Sequence, residues 1–444
     1  MTVTDKKKSL SLPPGNNGLP FIGELLELIK DPYFAQKRHE KYGAIFRTKL
    51  LDQNVIYLRG TEANNFLFSN EKEYFETQLF KTTEALLGKS SISVQTGPIH
   101  QSRRKILYQA FQPRLLSNNI NEIENIARRY FENWKNIKIL TWYPELKKFT
   151  FDVACKFLIG LEKASDTQLG DWYEAWEPGL FSFNTLPLPW TNFSRAMRSR
   201  KKLLNEIEKI ILDRQKQNDF NSDALGILLN AQDENGNKLN LEEIKNQIIA
   251  LLFAGHTTLT SALSSLCLLL AQHEHVLTRL RTEQEKFPRD EPLTLEMLKK
   301  MNYLEQVLQE VLRLIPPVAA GFRKIIKTCE FNNYQLPEGW MIFYSIASTH
   351  QDLRVYFEPG RFDPERFSPK RNESKNKPYS YIPFGAGMRE CLGKELARLE
   401  MKIFAALLVR EYEWKLIPSQ NLNLNFVPVP RPIDGLKVYF NQRL

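Results

Sequence analysis

The chain has 444 residues, of which 42% are hydrophobic and 25% charged, so it can bury a large core and is not disordered, collagen-like or a coiled coil. Lys and Arg outnumber Asp and Glu by 61 to 51, and the net charge of +10 indicates either an acidic partner or surface, or simple solubility. The four cysteines are widely spaced with no CxxC pair, which excludes a zinc site of usual spacing and suits a reducing compartment without disulfides.

The N-terminal part of the chain shows no targeting pattern. Lysines at positions 6 to 8 are not followed by an apolar segment, so we expect no signal peptide, no transmembrane anchor and a cytoplasmic protein. Residues 13–24, PPGNNGLPFIGE, are rich in Pro and Gly and predict an extended strap rather than a helix.

Two regions of the sequence predict β-hairpins. Short alternating runs between residues 44 and 58 flank a polar turn. Residues 329–347 contain two strand-like runs, with Pro337 and Gly339 between them as the predicted turn. Residues 172–193 are dense in aromatics and prolines, and predict either an apolar lid or a loop packed as a satellite core.

Between the two hairpin regions nearly everything has a helical pattern. The longest apolar stretch, residues 248–271, has no formal charge and is long enough to cross a bilayer. Six Ser or Thr residues and His256 interrupt it, which fits a helix buried in protein better than one in lipid. We therefore expect a mainly α protein with small β-sheets, folded as a single domain over residues 1–444.

The most informative motif is FGAGMRECLG, residues 384–393, which directly precedes a helical pattern over residues 394–408. A cysteine just before a helix meets free backbone N–H groups and the positive end of the helix dipole, which favour the iron-binding thiolate. The glycines allow a tight turn beneath a flat ligand, and Arg389 can pair with an acidic edge of that ligand. The alternative is a structural cysteine buried at a helix start.

This pattern, F-x-x-G-x-R-x-C-x-G, resembles the haem-binding signature of the cytochrome P450 family. The resemblance implies the P450 fold and haem b as cofactor, with Cys391 as the axial ligand of the iron. It also implies that four further residues of the motif bind the cofactor: Phe384, Gly387, Arg389 and Gly393.

Glu310 and Arg313 share one face of a helical stripe that ends at a proline pair. Such an i,i+3 pair is ordinarily a solvated surface pair of little energetic value. Here E-x-x-R resembles the family's second signature, whose partner arginine, Arg366, lies in the downstream element P-E-R-F. The resemblance implies a buried structural network of these three residues.

Residues 254–258, AGHTT, lie within the long apolar stretch and resemble the family's oxygen-activating motif. Thr258 matches the alcohol of that motif. Most relatives carry an acid immediately before the alcohol, where this chain has Thr257, so the usual pair is incomplete. His256 or a water chain could replace the acid, although a buried histidine is commonly just satisfied by a carbonyl. Thr258, Thr257 and His256 are the catalytic candidates.

His100 and Arg104 lie four residues apart, as do two residues that hold a haem propionate in the family. Arg323 matches another propionate-binding arginine and, with Arg104 and Arg389, would neutralise the propionates. Many relatives have tryptophan where this chain has His100. Histidine there, and the segments around residues 254 and 310, resemble the retinoic-acid hydroxylases and their cyanobacterial relatives.

The resemblance implies a monooxygenase that hydroxylates an apolar small molecule, such as a retinoid, with dioxygen. No G-x-G-x-x-G unit is present for a flavin or nicotinamide, so we expect a separate donor, a ferredoxin with its reductase. We expect a monomer that does not bind nucleic acid and is cytoplasmic or peripheral at a membrane surface. The substrate candidates, each of which could equally be core packing, are Leu79, Phe80, Phe181, Phe183, Ala254 and Val318.

Two alternatives remain open from the sequence. The missing acid at Thr257 could mark a haem-thiolate isomerase or dehydratase, or a peroxide-driven hydroxylase, although the retained Thr258 argues against it. The other alternative is a non-catalytic haem-binding protein, which the presence of both the oxygen-side and the cysteine-side motifs disfavours.

Overall fold

The structure is a computed structural model and describes residues 10–31, 33–182, 185, 188–217 and 223–443. The α-helices of these residues are α1 Leu25–Lys30, α2 Phe34–Tyr42, α3 Thr61–Ser69, α4 Glu71–Tyr74, α5 Lys81–Leu87, α6 Gly97–Tyr108, α7 Pro113–Asn118, α8 Ile120–Trp134, α9 Trp142–Ile159, α10 Gln168–Trp176, α11 Asn192–Gln217, α12 Ala224–Asn230, α13 Leu241–Gln272, α14 Glu274–Gln284, α15 Leu295–Lys300, α16 Asn302–Leu314, α17 Ile346–His350 and α18 Lys394–Glu411.

The strands are short. They are β1 Ile45–Leu50, β2 Gln53–Leu58, β3 Phe75–Glu76, β4 Leu140–Thr141, β5 Ala320–Ile325, β6 Cys329–Phe331, β7 Tyr334–Leu336, β8 Met341–Ser345, β9 Tyr412–Leu416, β10 Leu424–Asn425, β11 Arg431–Pro432 and β12 Lys437–Gln442. Single turns of 3₁₀ helix are formed by Gln109–Phe111, Ala164–Asp166, Glu177–Phe181, Pro364–Phe367 and Gly387–Arg389.

The chain is divided between two compact units. The first takes its residues from 1–78, 318–361 and 373–391, and the second from 79–317, 362–372 and 392–444. The single domain expected from the sequence stays a prediction.

The first unit is built on a five-stranded sheet in the order β1-β2-β8-β5-β3. Strands β1 and β2 form the predicted antiparallel hairpin, and β2 continues the sheet by pairing in parallel with β8. Because successive side chains of a strand point to opposite faces, Ile56 of β2 packs into one apolar cluster while Val55 and Tyr57 pack into another. The sheet is therefore buried on both faces. The segment 13–24 lies outside the helices and strands, as expected of a strap.

The second predicted hairpin is wrong in its pairing. The turn lies at Asn332 and Asn333, which both have positive φ angles and connect β6 to β7. The run after Gly339 forms β8, which joins the five-stranded sheet between β2 and β5. Consecutive asparagines tolerate the left-handed conformation that a tight hairpin turn needs. The turn therefore forms at the two asparagines and not at Pro337 and Gly339.

The second unit is helical around α13. This helix begins with a capping box, in which the Asn240 side chain accepts from the Glu243 N–H and Glu243 accepts from the Asn240 N–H. Within the described residues α13 alone is long and apolar enough to cross a membrane, but 78% of its most apolar window is buried inside the protein. It packs most extensively along α9. The sequence prediction of a core helix is confirmed.

Candidate functional site

The loop that carries Cys391 belongs to the first unit and is closed by its own backbone. The Cys391 N–H donates to the Phe384 carbonyl at 2.9 Å, and the Gly385 N–H donates to the Ile382 carbonyl at 2.9 Å. Gly385 and Gly387 have φ angles of 68° and 69°, which explains the glycines of the motif. The Cys391 side chain is exposed. The loop thus presents a thiol outward from a fixed turn.

A buried carboxylate, Glu71 of α4, ties this loop to Arg323 of β5. The Arg323 Nε donates to Glu71 Oε1 at 2.6 Å, and the Met388 N–H donates to Glu71 Oε2 at 2.8 Å. Glu71 and Arg323 are 3% and 4% exposed, so the pair is shielded from water. A Cβ at Gly387 would overlap Glu71 Oε2, so both the positive φ angle and this close approach require glycine at position 387. No sequence motif points to Glu71, which lies 252 positions from Arg323.

The oxygen-side motif belongs to the second unit, where it forms an uncovered face of a buried helix. Ala254 and Gly255 are exposed and Thr258 is half-buried, although the residues around them are almost all buried. A Cβ at Gly255 would meet nothing within 4 Å. The Thr258 hydroxyl donates to the Ala254 carbonyl at 2.7 Å. This face of α13 is therefore smooth and apolar, with one alcohol, and suits contact with a flat ligand.

Thr257 and His256 are buried on other sides of α13. The Thr257 hydroxyl donates to Oε1 of Glu177, at the start of the 3₁₀ turn after α10. His256 Nδ1 lies 2.8 Å from the Thr150 hydroxyl of α9. Burial lowers the pKa of His256 to about 4, even though the Glu177 carboxylate favours its charged form. His256 is therefore neutral near neutral pH, and its polar contact is a hydroxyl rather than the carbonyl expected.

The helix α6 positions His100 and Arg104 in the second unit. His100 is buried and Arg104 half-buried. Arg103 pairs with Glu243 in the first turn of α13 at 2.5 Å, and Ser102 donates to Asp233 at 3.0 Å. These two contacts anchor α6 within the second unit, next to the position of Arg104.

The structure brings Glu310, Arg313 and Arg366 together. Arg313 Nε donates to Glu310 Oε2 at 2.6 Å, and Arg366 Nε donates to Glu310 Oε1 at 3.2 Å. The Asp363 N–H also donates to Glu310 Oε1, at 2.9 Å. Glu310 and Arg313 are fully buried and Arg366 is 1% exposed. The network fixes the turn 364–367 against α16.

Among the described substrate candidates of the second unit, Phe181 lies next to the oxygen-side segment. Phe181 contacts Phe253, the neighbour of Ala254, with ring centroids 5.9 Å apart. Phe80 is exposed and Leu79 half-buried at the start of α5. The Thr83 hydroxyl donates to the Leu180 carbonyl at 2.8 Å, which holds α5 against the 3₁₀ turn that ends at Phe181.

The remaining substrate candidates give less information. Val318 is exposed in the first unit. Phe183 lies outside the described residues. The predicted lid over 172–193 is helical at its start, where Trp176 is fully buried in α10, while Trp190 is exposed.

Each unit, taken by itself, carries groups that suit a haem. The first unit carries the exposed thiol of Cys391 and two arginines, Arg323 and Arg389. The second unit carries the apolar face of α13 and Arg104. A thiolate is an established haem ligand, and arginines pair with carboxylates such as propionates.

Comparison with known proteins identifies the family. The family model described as cytochrome P450 matches residues 13–438. The chain belongs to the cytochrome P450 family. It is 50% identical to cytochrome P450 120 of Synechocystis sp., covering 99% of this chain and 98% of that protein. It is 33% identical to cytochrome P450 26B1 of Bos taurus, covering 98% and 88%. The solved structure of retinoic-acid-bound cyanobacterial CYP120A1 matches with a TM-score of 0.93 and 49% identity, covering 98% of this chain and 100% of that chain.

These comparisons confirm the predicted fold class, enzyme class and cofactor. The protein has the P450 fold and is a haem-thiolate monooxygenase whose haem b iron is ligated by a cysteine. It takes a lipophilic substrate, dioxygen and electrons from a redox partner. The isomerase, peroxide-driven and non-catalytic alternatives are not favoured by the comparisons.

Proposed function

We propose that this monooxygenase hydroxylates a retinoid, with retinoic acid as the substrate to test first. The observation that carries the proposal is the relative solved with retinoic acid bound, which is 49% identical over 98% of this chain. The motifs around residues 254 and 310, and the histidine at position 100, support the same branch of the family.

Cys391 is assigned as the iron ligand in this proposal. Its thiol is exposed on a turn closed by backbone hydrogen bonds and is therefore accessible to an iron ion. Arg323, Arg389, His100 and Arg104 are assigned to the propionates, because cationic or N–H donor side chains pair with carboxylates. When bound, haem with a thiolate ligand supplies the chemistry that favours O–O cleavage.

The apolar surface beside α13 is assigned to the substrate. Phe181, Phe253 and Ala254 form adjoining apolar surface in the second unit, and Phe80 lies on the neighbouring element held by Thr83. A long hydrocarbon such as a retinoid gains free energy by burying its length against such side chains, at about 25 cal/mol per Å² of apolar surface. The Thr258 hydroxyl is the polar group on the adjacent face of α13.

The proposed electron donor is a ferredoxin with its own reductase. A net charge of +10 favours an acidic partner, since complementary charge speeds association. We further propose that the protein is a monomeric, single-domain enzyme that works in the cytoplasm and meets its lipophilic substrate in solution or at a membrane surface.

Titration of the haem-loaded ferric protein with retinoic acid tests the substrate. We expect the Soret band to shift to the blue as the substrate displaces water from the iron, with palmitic acid as a chain-like comparison ligand. Turnover with ferredoxin, reductase and oxygen-18-labelled dioxygen should then place one labelled oxygen atom in the product, measured by mass spectrometry. Product formed from hydroperoxide without reductant would instead favour a peroxide-driven enzyme.

A matched pair of variants tests the substrate surface. Phe181→Ala should weaken retinoic acid binding, because it removes an exposed ring next to Phe253. Tyr439→Ala, which removes an exposed ring on β12, should leave binding unchanged. The proposal fails if retinoic acid gives neither a spectral shift nor a hydroxylated product while another lipid gives both.

A further inference from the structure

The residue at position 257 is a threonine where the family pattern has an acid, yet a carboxylate lies next to it. The Thr257 hydroxyl donates to Oε1 of Glu177, which comes from a different element 80 positions away. Thr257 is 5% exposed and the Glu177 side chain 13% exposed, so this hydrogen bond is largely shielded from water. A carboxylate is therefore hydrogen-bonded to the residue that stands at the position of the family's acid.

The second carboxylate oxygen of Glu177 contacts a partly exposed lysine, Lys147. The Glu177 Oε2 lies 3.1 Å from the Lys147 Nζ of α9. The Lys147 side chain is 25% exposed and also lies 4.0 Å from Glu174, whose side chain is 67% exposed. Thr257, Glu177 and Lys147 thus form a continuous polar path from the buried side of α13 to the surface of the second unit.

We propose that Glu177 is the acid that serves the oxygen-side helix, and that Thr257 passes protons between the Glu177 carboxylate and the face of α13 that carries Thr258. The inference rests on the proposed role of residues 254–258. Glu177 acts through Thr257 and is not itself placed at the reacting atoms.

The proton balance of this relay closes. Hydroxylation consumes two protons and two electrons, and gives one alcohol and one water. For each proton, the Glu177 carboxylate takes H⁺ from solvent at the partly exposed end of the path, where Lys147 lies and keeps its own charge. Glu177 gives that proton to the Thr257 oxygen while Thr257 releases its own hydroxyl proton, and Glu177 returns to a carboxylate. Threonine in a helix populates two χ1 rotamers, so the hydroxyl can leave Glu177 without backbone movement.

The surroundings of Glu177 suit a relay that is ionised at rest. Burial opposes its ionisation, but the Lys147 ammonium and the Thr257 hydroxyl stabilise the carboxylate, and the pKa of Glu177 lies below its usual value. The other titratable groups that face it are Tyr143, whose pKa is raised by burial and by Glu177, and Tyr173 and Glu174 of α10.

His256 is a poorer candidate than Glu177 for the acid of this relay. The pKa of His256 is lowered to about 4 by burial, and its Nδ1 is engaged with Thr150 inside the protein. By contrast, the buried Tyr173 hydroxyl lies beside the Thr257 hydroxyl. It can accept from or donate to Thr257 as that side chain turns.

The test uses the haem-loaded enzyme with Glu177→Gln, which keeps the shape and the acceptor for Thr257 but removes the acid. We expect product per electron to fall, with peroxide release rising in its place, and product formation to slow by roughly 10²-fold, the lower end for general acid catalysis. The solvent deuterium isotope effect on turnover should increase. Glu177→Asp should recover part of the coupling, and Thr257→Val should match Glu177→Gln.

The matched control is Glu305→Gln, which removes a half-buried carboxylate paired with Arg398 at 2.6 Å and Lys402 at 2.9 Å. It should leave coupling and the isotope effect unchanged. The double variant Thr257→Val with Glu177→Gln should be no worse than either single variant, because both interrupt one path.

A second readout does not depend on turnover. Infrared difference spectra of the ferric protein against Glu177→Gln report the protonation of the Glu177 carboxyl as pH falls. In Thr257→Val this carboxyl should become protonated at a higher pH, because the charged form has lost a donor.

The inference is overturned if Glu177→Gln and Glu305→Gln give the same coupling and isotope effect. If Glu177→Gln does not fold, Thr257→Val and Glu177→Asp decide by the same criteria. Peroxide per electron is measurable with any bound substrate, so failure of retinoic acid as substrate would refute the proposed function and leave this test intact.

Discussion

Replacement of Glu71 by glutamine removes the charge that joins Arg323 to the cysteine loop without changing the volume of the side chain. Glutamine can still accept one hydrogen bond from Arg323, but its NH₂ group cannot accept from the Met388 N–H, which now donates to Glu71 at 2.8 Å. Arg323 is 4% exposed and would be left as a buried cation without its counterion.

The expected cost follows from these contacts. Removing one partner of a buried ion pair typically costs about 3–5 kcal/mol, and a retained neutral hydrogen bond returns about 1 kcal/mol. We therefore expect Glu71→Gln to lower the free energy of unfolding of the haem-free protein by about 2–4 kcal/mol. With haem bound the loss should be smaller, because a propionate would offer Arg323 a new counterion.

Urea denaturation, followed by both tryptophan fluorescence and circular dichroism, measures this cost as a lower midpoint. The carbon monoxide difference spectrum of the reduced, haem-loaded variant should also show less of the red-shifted thiolate form, since the Met388 turn near Cys391 has lost an anchor. The control is Glu73→Gln in the same helix, where the pair with Lys327 is exposed on both sides and little change is expected. Equal midpoints for the two variants would refute the reasoning.

Three further predictions concern single residues. Burial raises the pKa of Glu400 from 4.5 to about 8, so the folded protein keeps a proton that the unfolded chain loses, and its stability falls as pH rises between these values. Glu400→Gln should remove this fall, and urea midpoints near pH 5 and pH 9 that still differ as in the parent would contradict it. Cys391→Ser should abolish the red-shifted carbon monoxide band while the protein remains folded by circular dichroism. Thr258→Ala should raise peroxide release per electron, and unchanged coupling would remove this hydroxyl from the mechanism.

The sequence determined those parts of the protein that depend on local pattern. The motif around Cys391 identifies a haem-thiolate protein because the glycines, the arginine and the cysteine act within one turn. The long helix α13 and the first hairpin follow from apolar periodicity, which local burial enforces. Glu310 and Arg313 are one helical turn apart, so their pairing could also be predicted from the sequence.

Only the tertiary structure decided which distant side chains meet. Glu71 reaches Arg323 across 252 positions, and Glu177 reaches Thr257 across 80, without any motif at either carboxylate. Contacts of this kind arise because packed helices and strands bring side chains together irrespective of their separation along the chain. A local pattern is therefore enough to identify Cys391 and Thr257 as candidate site residues. The carboxylates that accept hydrogen bonds from the cysteine loop and from Thr257 can be identified only after the helices and strands have packed.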